Sequence, residues 1–143
     1  MKLVIKASYL IIALAIIISL YFLYLLYWPV HLPDFKTPFK IIKQEVETGT
    51  AMQYQIDYCK YKNYPVELHR YLVNDTVVLL VGSTMTGVDL GCHVRDFALE
   101  IPKGIPSGFY KLDLEYHYKI NPFREKIIKI ESEQFQVFNP VIE

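Results

Sequence analysis

Cys59 and Cys92 are the only cysteines among 143 residues. With His69, His93, His117 and Met85 they supply the soft and imidazole donors through which a chain holds copper or zinc. Their spacing argues against a metal. A blue-copper site gathers cysteine, histidine and methionine on one C-terminal loop, whereas Cys92-His93 runs into Val94-Arg95-Asp96 and no methionine follows. No Cys-x-x-Cys or His-x-x-x-His pairing marks a zinc site, so no cofactor is expected. The other use of the two cysteines is a disulfide. In an oxidising compartment, a loop of this length would restrict the unfolded chain by about 3 to 4 kcal/mol on the entropic model. The alternative is two separate buried thiols behaving as small apolar side chains.

Nucleophilic catalysis needs a base beside its nucleophile. Ser83, Thr84 and Thr86 lie in a glycine-rich stretch, but no Gly-x-Ser-x-Gly elbow or carboxylate pair places one of them near His69, His93 or His117. His117 falls on the wet side of an alternating strand between Glu115 and Lys119, where a solvated imidazole is the plain account. No enzyme is expected, and the alternative kept open is a membrane-tethered enzyme or cupredoxin-like metal carrier with its site near Met85 and Cys92. Binding suits the composition better. Ser83, Thr84, Met85, Thr86, Val88 and Asp89, set among the glycines from Gly82 to Gly91, form the candidate binding loop, with a mobile connector as the alternative. Tyr58, Tyr61, Tyr64, Tyr71 and Arg70 are of the types enriched at interaction hot spots, although strand tyrosines also simply pack. Asn74-Asp75-Thr76 fits the glycosylation acceptor pattern, which has meaning only in a eukaryotic secretory pathway.

The elements that must position these residues read as strands. Tyr110, Leu112, Leu114, Tyr116, Tyr118 and Ile120 alternate with Lys111, Asp113, Glu115, His117 and Lys119, a half-buried strand. Met52, Tyr54, Ile56 and Tyr58 repeat the pattern, as do Phe97, Leu99 and Ile101. Less regular runs over 39–46, 66–73, 76–81 and 126–138 bring the count to about seven, the last interrupted near Ser132. Asn74-Asp75 and Asn121-Pro122 read as turns. Seven short strands in about 100 residues, with no helical period among them, predict an all-β antiparallel sandwich over 39–143.

Leu99-x-Ile101, Ile105 and Gly108-x-Tyr110-x-Leu112 together resemble the corner between strands E and F of immunoglobulin-like (Ig-like) domains. The resemblance implies an Ig-like β-sandwich in which Tyr110, next to Gly108, bonds back to the preceding backbone as a structural corner. Three departures are plain: the loop is shorter, Leu112 stands where antibody domains carry their second cysteine, and the sole tryptophan, Trp28, lies outside the domain. The superfold hosts many unrelated activities and implies none by itself. Asp57-Tyr58-Cys59-Lys60, Gly91-Cys92-His93, Pro106-Ser107-Gly108-x-Tyr110 and Asn121-Pro122-x-Arg124, in that order, are similar to small uncharacterised single-span proteins encoded by bacteriophages and their bacterial hosts. That likeness implies no activity.

Ahead of the strands, the stretch from Ala7 to Trp28 has no charge, proline or glycine. A helix of about 22 residues rises roughly 33 Å, enough to cross a hydrocarbon core of about 30 Å. The lipid bilayer is therefore the expected partner of residues 7–28, and 1–28 form a short tail and transmembrane signal anchor. A cleavable signal peptide has a shorter apolar run that ends at a small-x-small cleavage site, whereas here apolar sequence continues to Trp28 with no such site at its end. Tyr21, Tyr24, Tyr27 and Trp28 crowd the end where amphipathic rings sit among headgroups. Pro29, Pro33 and Pro38 make 29–38 a stiff connector.

Lys2 and Lys6 face Lys36, Lys40 and Lys43 across the span, so charge does not choose the orientation. A short leading tail is expected in the cytoplasm, with the folded domain extracytoplasmic. Setting aside Lys2 and Lys6 leaves 13 basic against 15 acidic residues, without the basic stripe that neutralises phosphates, and nucleic acid is not an expected partner. The expected function is presentation of the sandwich to an unknown protein partner, or a structural role at the membrane.

Overall fold

The computed structural model describes residues 2–85 and 87–140. Helix α1 (Lys2–Tyr27) is the one element outside the sheets. Its segment Tyr9–Tyr27 has a mean hydropathy of 2.6 and no fully buried residue, as expected of a helix long and apolar enough to cross a membrane.

Among the described residues, ten strands follow in two sheets. In the first, β4 (Ala51–Lys60) is central, with β7 (Gly91–Glu100) antiparallel along its full length on one edge. The short strands β1 (Asp34–Phe35) and β2 (Lys40–Ile41) succeed each other along the opposite edge. In the second sheet, β8 (Gly108–Asn121) is central. One side of it pairs with β5 (Val66–Val73), which pairs in turn with β6 (Val78–Met85). The other side pairs first with β9 (Arg124–Glu131) and then with β10 (Phe135–Phe138), and β3 (Glu45–Glu47) lies parallel to β10. The opening strand region is thus split between the two sheets of the sandwich.

Alternation builds the core. Met52, Tyr54, Ile56 and Tyr58 of β4 face Leu68, Leu72, Tyr110, Leu112, Leu114, Tyr116 and Tyr118 of β5 and β8, all buried. On β8 the intervening Lys111 and Lys119 stay exposed, so one pleat separates a dry face from a wet one. The Tyr110 hydroxyl donates to the Pro106 carbonyl at 2.9 Å, pinning the loop between β7 and β8 against the start of β8.

Several boundaries differ from the sequence reading. Among the described residues strands number ten, three more than expected, because the runs 39–46 and 126–138 each divide as the chain moves along a sheet edge and β1 adds a strand ahead of them. β3 against β10 and the Phe39–Ser132 bridge are parallel, so the sandwich is not wholly antiparallel. The break at Ser132 is a joint: its hydroxyl accepts from Leu112 N–H at 2.8 Å and donates to the Glu133 carbonyl at 2.6 Å. The proline-rich segment 29–38 is partly woven into the first sheet, since Asp34 and Phe35 pair with Cys59 and Tyr58. Phe35 also stacks on Tyr116 of the facing sheet, with ring centroids 4.6 Å apart.

Candidate functional site

The end of the sandwich nearest α1 gathers three connections. Register places Lys60 opposite Gly91, Glu67 opposite Met85 and Val66 opposite Tyr118. The β4–β5 loop, the β6–β7 loop and the β8–β9 turn therefore share this end. Cys59 and Cys92 sit directly opposite each other on β4 and β7 and are joined in a disulfide, their Cα atoms 3.9 Å apart. The bridge joins neighbouring strands of one sheet on its outer side, and Cys92 is exposed. Neither sulfur has a thiolate left for copper, which removes the ligand that a cupredoxin-like reading of Cys92-His93 requires.

Glycine spacing suggests a longer loop after Gly82 than the structure contains. Ser83, Thr84 and Met85 are strand residues of β6, because each finds a ladder partner on β5. Thr86 lies outside the described residues. Only Gly87, Val88, Asp89 and Leu90 bridge from there to β7, and polar side chains from the first sheet hold them. Buried Lys60 donates from Nζ to the Val88 carbonyl at 2.8 Å. His93 Nε2 lies 2.7 Å from the Leu90 carbonyl oxygen, which makes that nitrogen the donor. Arg95 is ion-paired with Asp89. The loop is thus tied at three successive residues and leaves Leu90 half-exposed and Asp89 exposed.

The tyrosines divide by the pleat. Tyr58 is buried, and burial is the main reason its hydroxyl pKa is pushed up; Arg95 opposes the shift and Asp89 adds to it. It is a core residue with no contact surface to offer. Tyr61 is exposed and donates to Asp34 at 2.9 Å, a bond that holds its pKa above the ordinary value. Tyr64 lies under the Lys62 ammonium, 5.4 Å from its ring centroid. Tyr71 stacks on His69, and Arg70 turns inward with Nε 3.4 Å from the Tyr54 hydroxyl.

A second polar group lies on the outer face of the other sheet. His69 and His117 meet edge to face at 4.6 Å between centroids, flanked by Glu67, Glu115 and Glu125. Ser83 Oγ donates to Glu67 at 3.0 Å, so the hydroxyl faces a carboxylate and not an imidazole. Among the described residues no three histidine, cysteine or acidic side chains are arranged to hold a metal ion.

Contact between the sandwich and α1 escaped the sequence reading. Asn121 Nδ2 donates to the Leu25 carbonyl at 2.8 Å, and Arg124 Nη1 to the Trp28 carbonyl. Between them, Phe123 packs its ring edgewise on Phe22, with centroids 5.7 Å apart. Asn121-Pro122 identifies a turn in the sequence, but carbonyl partners belong to the backbone and leave no residue-type signature.

No protein-family model matches the chain, and no curated protein matches it. Among solved structures, the chain is similar to a cellulose-active polysaccharide monooxygenase from M. thermophila at 11% identity and a TM-score of 0.43, over 69% of this chain and 54% of that one. It is also similar to a β-glucosidase from Listeria innocua in complex with glucose at 10% identity and a TM-score of 0.38, over 72% of this chain and 16% of that one. The chain thus spans about half the length of the first and a small part of the second, and neither likeness carries an argument about this chain.

Proposed function

We propose that this is a single-pass membrane protein that presents an Ig-like sandwich outside the cytoplasm and works by contacting another protein. The Cys59–Cys92 disulfide carries the location: an exposed bridge persists in an oxidising compartment and is reduced in the cytosol. Contact through a sheet edge follows from β6, whose outer ladder positions are open and whose Val78, Leu80 and Met85 side chains are exposed. Open, apolar edge strands accept a partner strand, with backbone hydrogen bonds supplying affinity and alternate side chains supplying selectivity.

Photo-crosslinking in native membranes tests this reading. A photoreactive side chain at Leu80 is expected to capture a discrete partner, while the same group at Lys103, at the far end of the sandwich, captures none. Equal labelling from both positions, or from neither, would overturn edge contact as the function. Mass spectrometry of the same membranes without reductant tests the location, and two free thiols there would remove the extracytoplasmic assignment.

A further inference from the structure

We infer that the β8–β9 turn is a lipid-binding site: Pro122 and Phe123 enter the bilayer beside α1, so the sandwich rests on the membrane and does not swing from a tether. The inference rests on the reading that α1 spans the bilayer and adds a second membrane contact to it. Phe22 lies six residues before Trp28, or about 9 Å deeper along a helix rising 1.5 Å per residue. It falls inside the apolar segment Tyr9–Tyr27 and is still half exposed. Phe123 packs against that ring, so the medium surrounding Phe22 also surrounds Phe123. Phe123 remains 60% exposed, and acyl chains at that level are what would cover it.

The turn is built for such a medium. A backbone N–H in lipid must be satisfied internally. Pro122 has none, and the Phe123 N–H donates to Asn121 Oδ1 at 2.9 Å. Asn121 uses its other end, Nδ2, on the Leu25 carbonyl, so one side chain satisfies polar groups of both the turn and the helix end. Arg124 reaches the Trp28 carbonyl at the level where the helix ends, and exposed Lys119 and Lys126 stand farther up the hairpin. Glu125 stands opposite Lys119, so the collar above the apolar tip carries three cations, Lys119, Arg124 and Lys126, against one carboxylate, and this excess of positive charge suits the phosphates above the acyl chains in a bilayer surface.

Trp28 is the sole tryptophan, which gives a clean test in the full chain. Three proteins are reconstituted in vesicles of phosphatidylcholine brominated on its acyl chains: the natural chain, Trp28→Phe with Phe123→Trp, and Trp28→Phe with Phe109→Trp. The clasp on residue 28 uses a carbonyl, which the phenylalanine retains. Phe109 is exposed at the other end of β8, about 40 Å away at roughly 3.3 Å per residue. The expected result is loss of most emission at positions 28 and 123 relative to unbrominated vesicles, and unchanged emission at 109. Quenching at 28 with none at 123 would overturn the inference and leave the span standing. Absence of quenching at 28 would overturn the span and the inference together.

Discussion

Asn121 Nδ2 lies 2.8 Å from the carbonyl oxygen of Leu25, a hydrogen bond between residues 96 positions apart that closes the end of α1 onto the sandwich. The last carbonyls of a helix have no partner within it, and here a side chain of the sandwich supplies one. Asn121→Ala removes this donor and also the acceptor for Phe123 N–H. Leaving such groups unpaired costs about 1 to 3 kcal/mol. The sandwich should stay folded by circular dichroism while its angle to the helix broadens. Spin labels on α1 and β6 should report a wider distance distribution in Asn121→Ala with Arg124→Ala than in the natural chain, and an unchanged distribution would show that these bonds orient nothing.

The cross-strand disulfide makes a separable prediction. Its two cysteines are 33 positions apart, and Cys59→Ser with Cys92→Ser should cost about 3 to 4 kcal/mol on the loop-entropy account. Because Cys92 is on the surface, reductant should open the bridge without denaturant, so the natural chain plus reductant should unfold at the same denaturant concentration as the double serine variant. A reduced natural chain that keeps its original midpoint would contradict both.

What the sequence revealed follows from how each residue is used. Tyr110 to Ile120 was legible because β8 has one dry and one wet face, and alternation records that directly. The first half of β7 was not, because His93 and Arg95 take positions in phase with Phe97 and Leu99 and spend them holding Leu90 and Asp89, which breaks the apolar period. β1 hid among prolines, since two paired residues are too few for a period. The pairing of Cys59 with Cys92 was readable as a possibility only, because cysteine count constrains connectivity and strand register decides it.

Ser132 tests the joint between β9 and β10. Its hydroxyl accepts from Leu112 N–H inside the domain and donates to the Glu133 carbonyl. Ser132→Ala leaves a buried donor unpaired, and the expected loss is about 1 to 3 kcal/mol, read from the denaturant midpoint with an unchanged slope. Ser132→Thr keeps the hydroxyl and should recover part of that loss. If alanine and threonine cost the same, steric fit and not the hydrogen bond governs this position.

Alkaline pH should weaken the sandwich from its centre. Burial raises the hydroxyl pKa of Tyr116 and of Tyr118 well above the ordinary tyrosine value, and a hydrogen bond to Asp113 raises that of Lys129. As pH climbs past about 10, the unfolded chain releases these protons while the folded one retains them, so protonation favours the folded state less and less. Each buried tyrosine then contributes a fall of up to about 1.4 kcal/mol per pH unit. Tyr116→Phe with Tyr118→Phe removes two of these groups and should flatten the fall in stability above pH 10, measured by denaturant titration at successive pH values. In the natural chain, tyrosinate absorbance from this pair should grow only together with the loss of β-sheet circular dichroism. Ionisation of the full tyrosine complement in a chain that retains its sheet signal would mean that these hydroxyls are not sealed in the core.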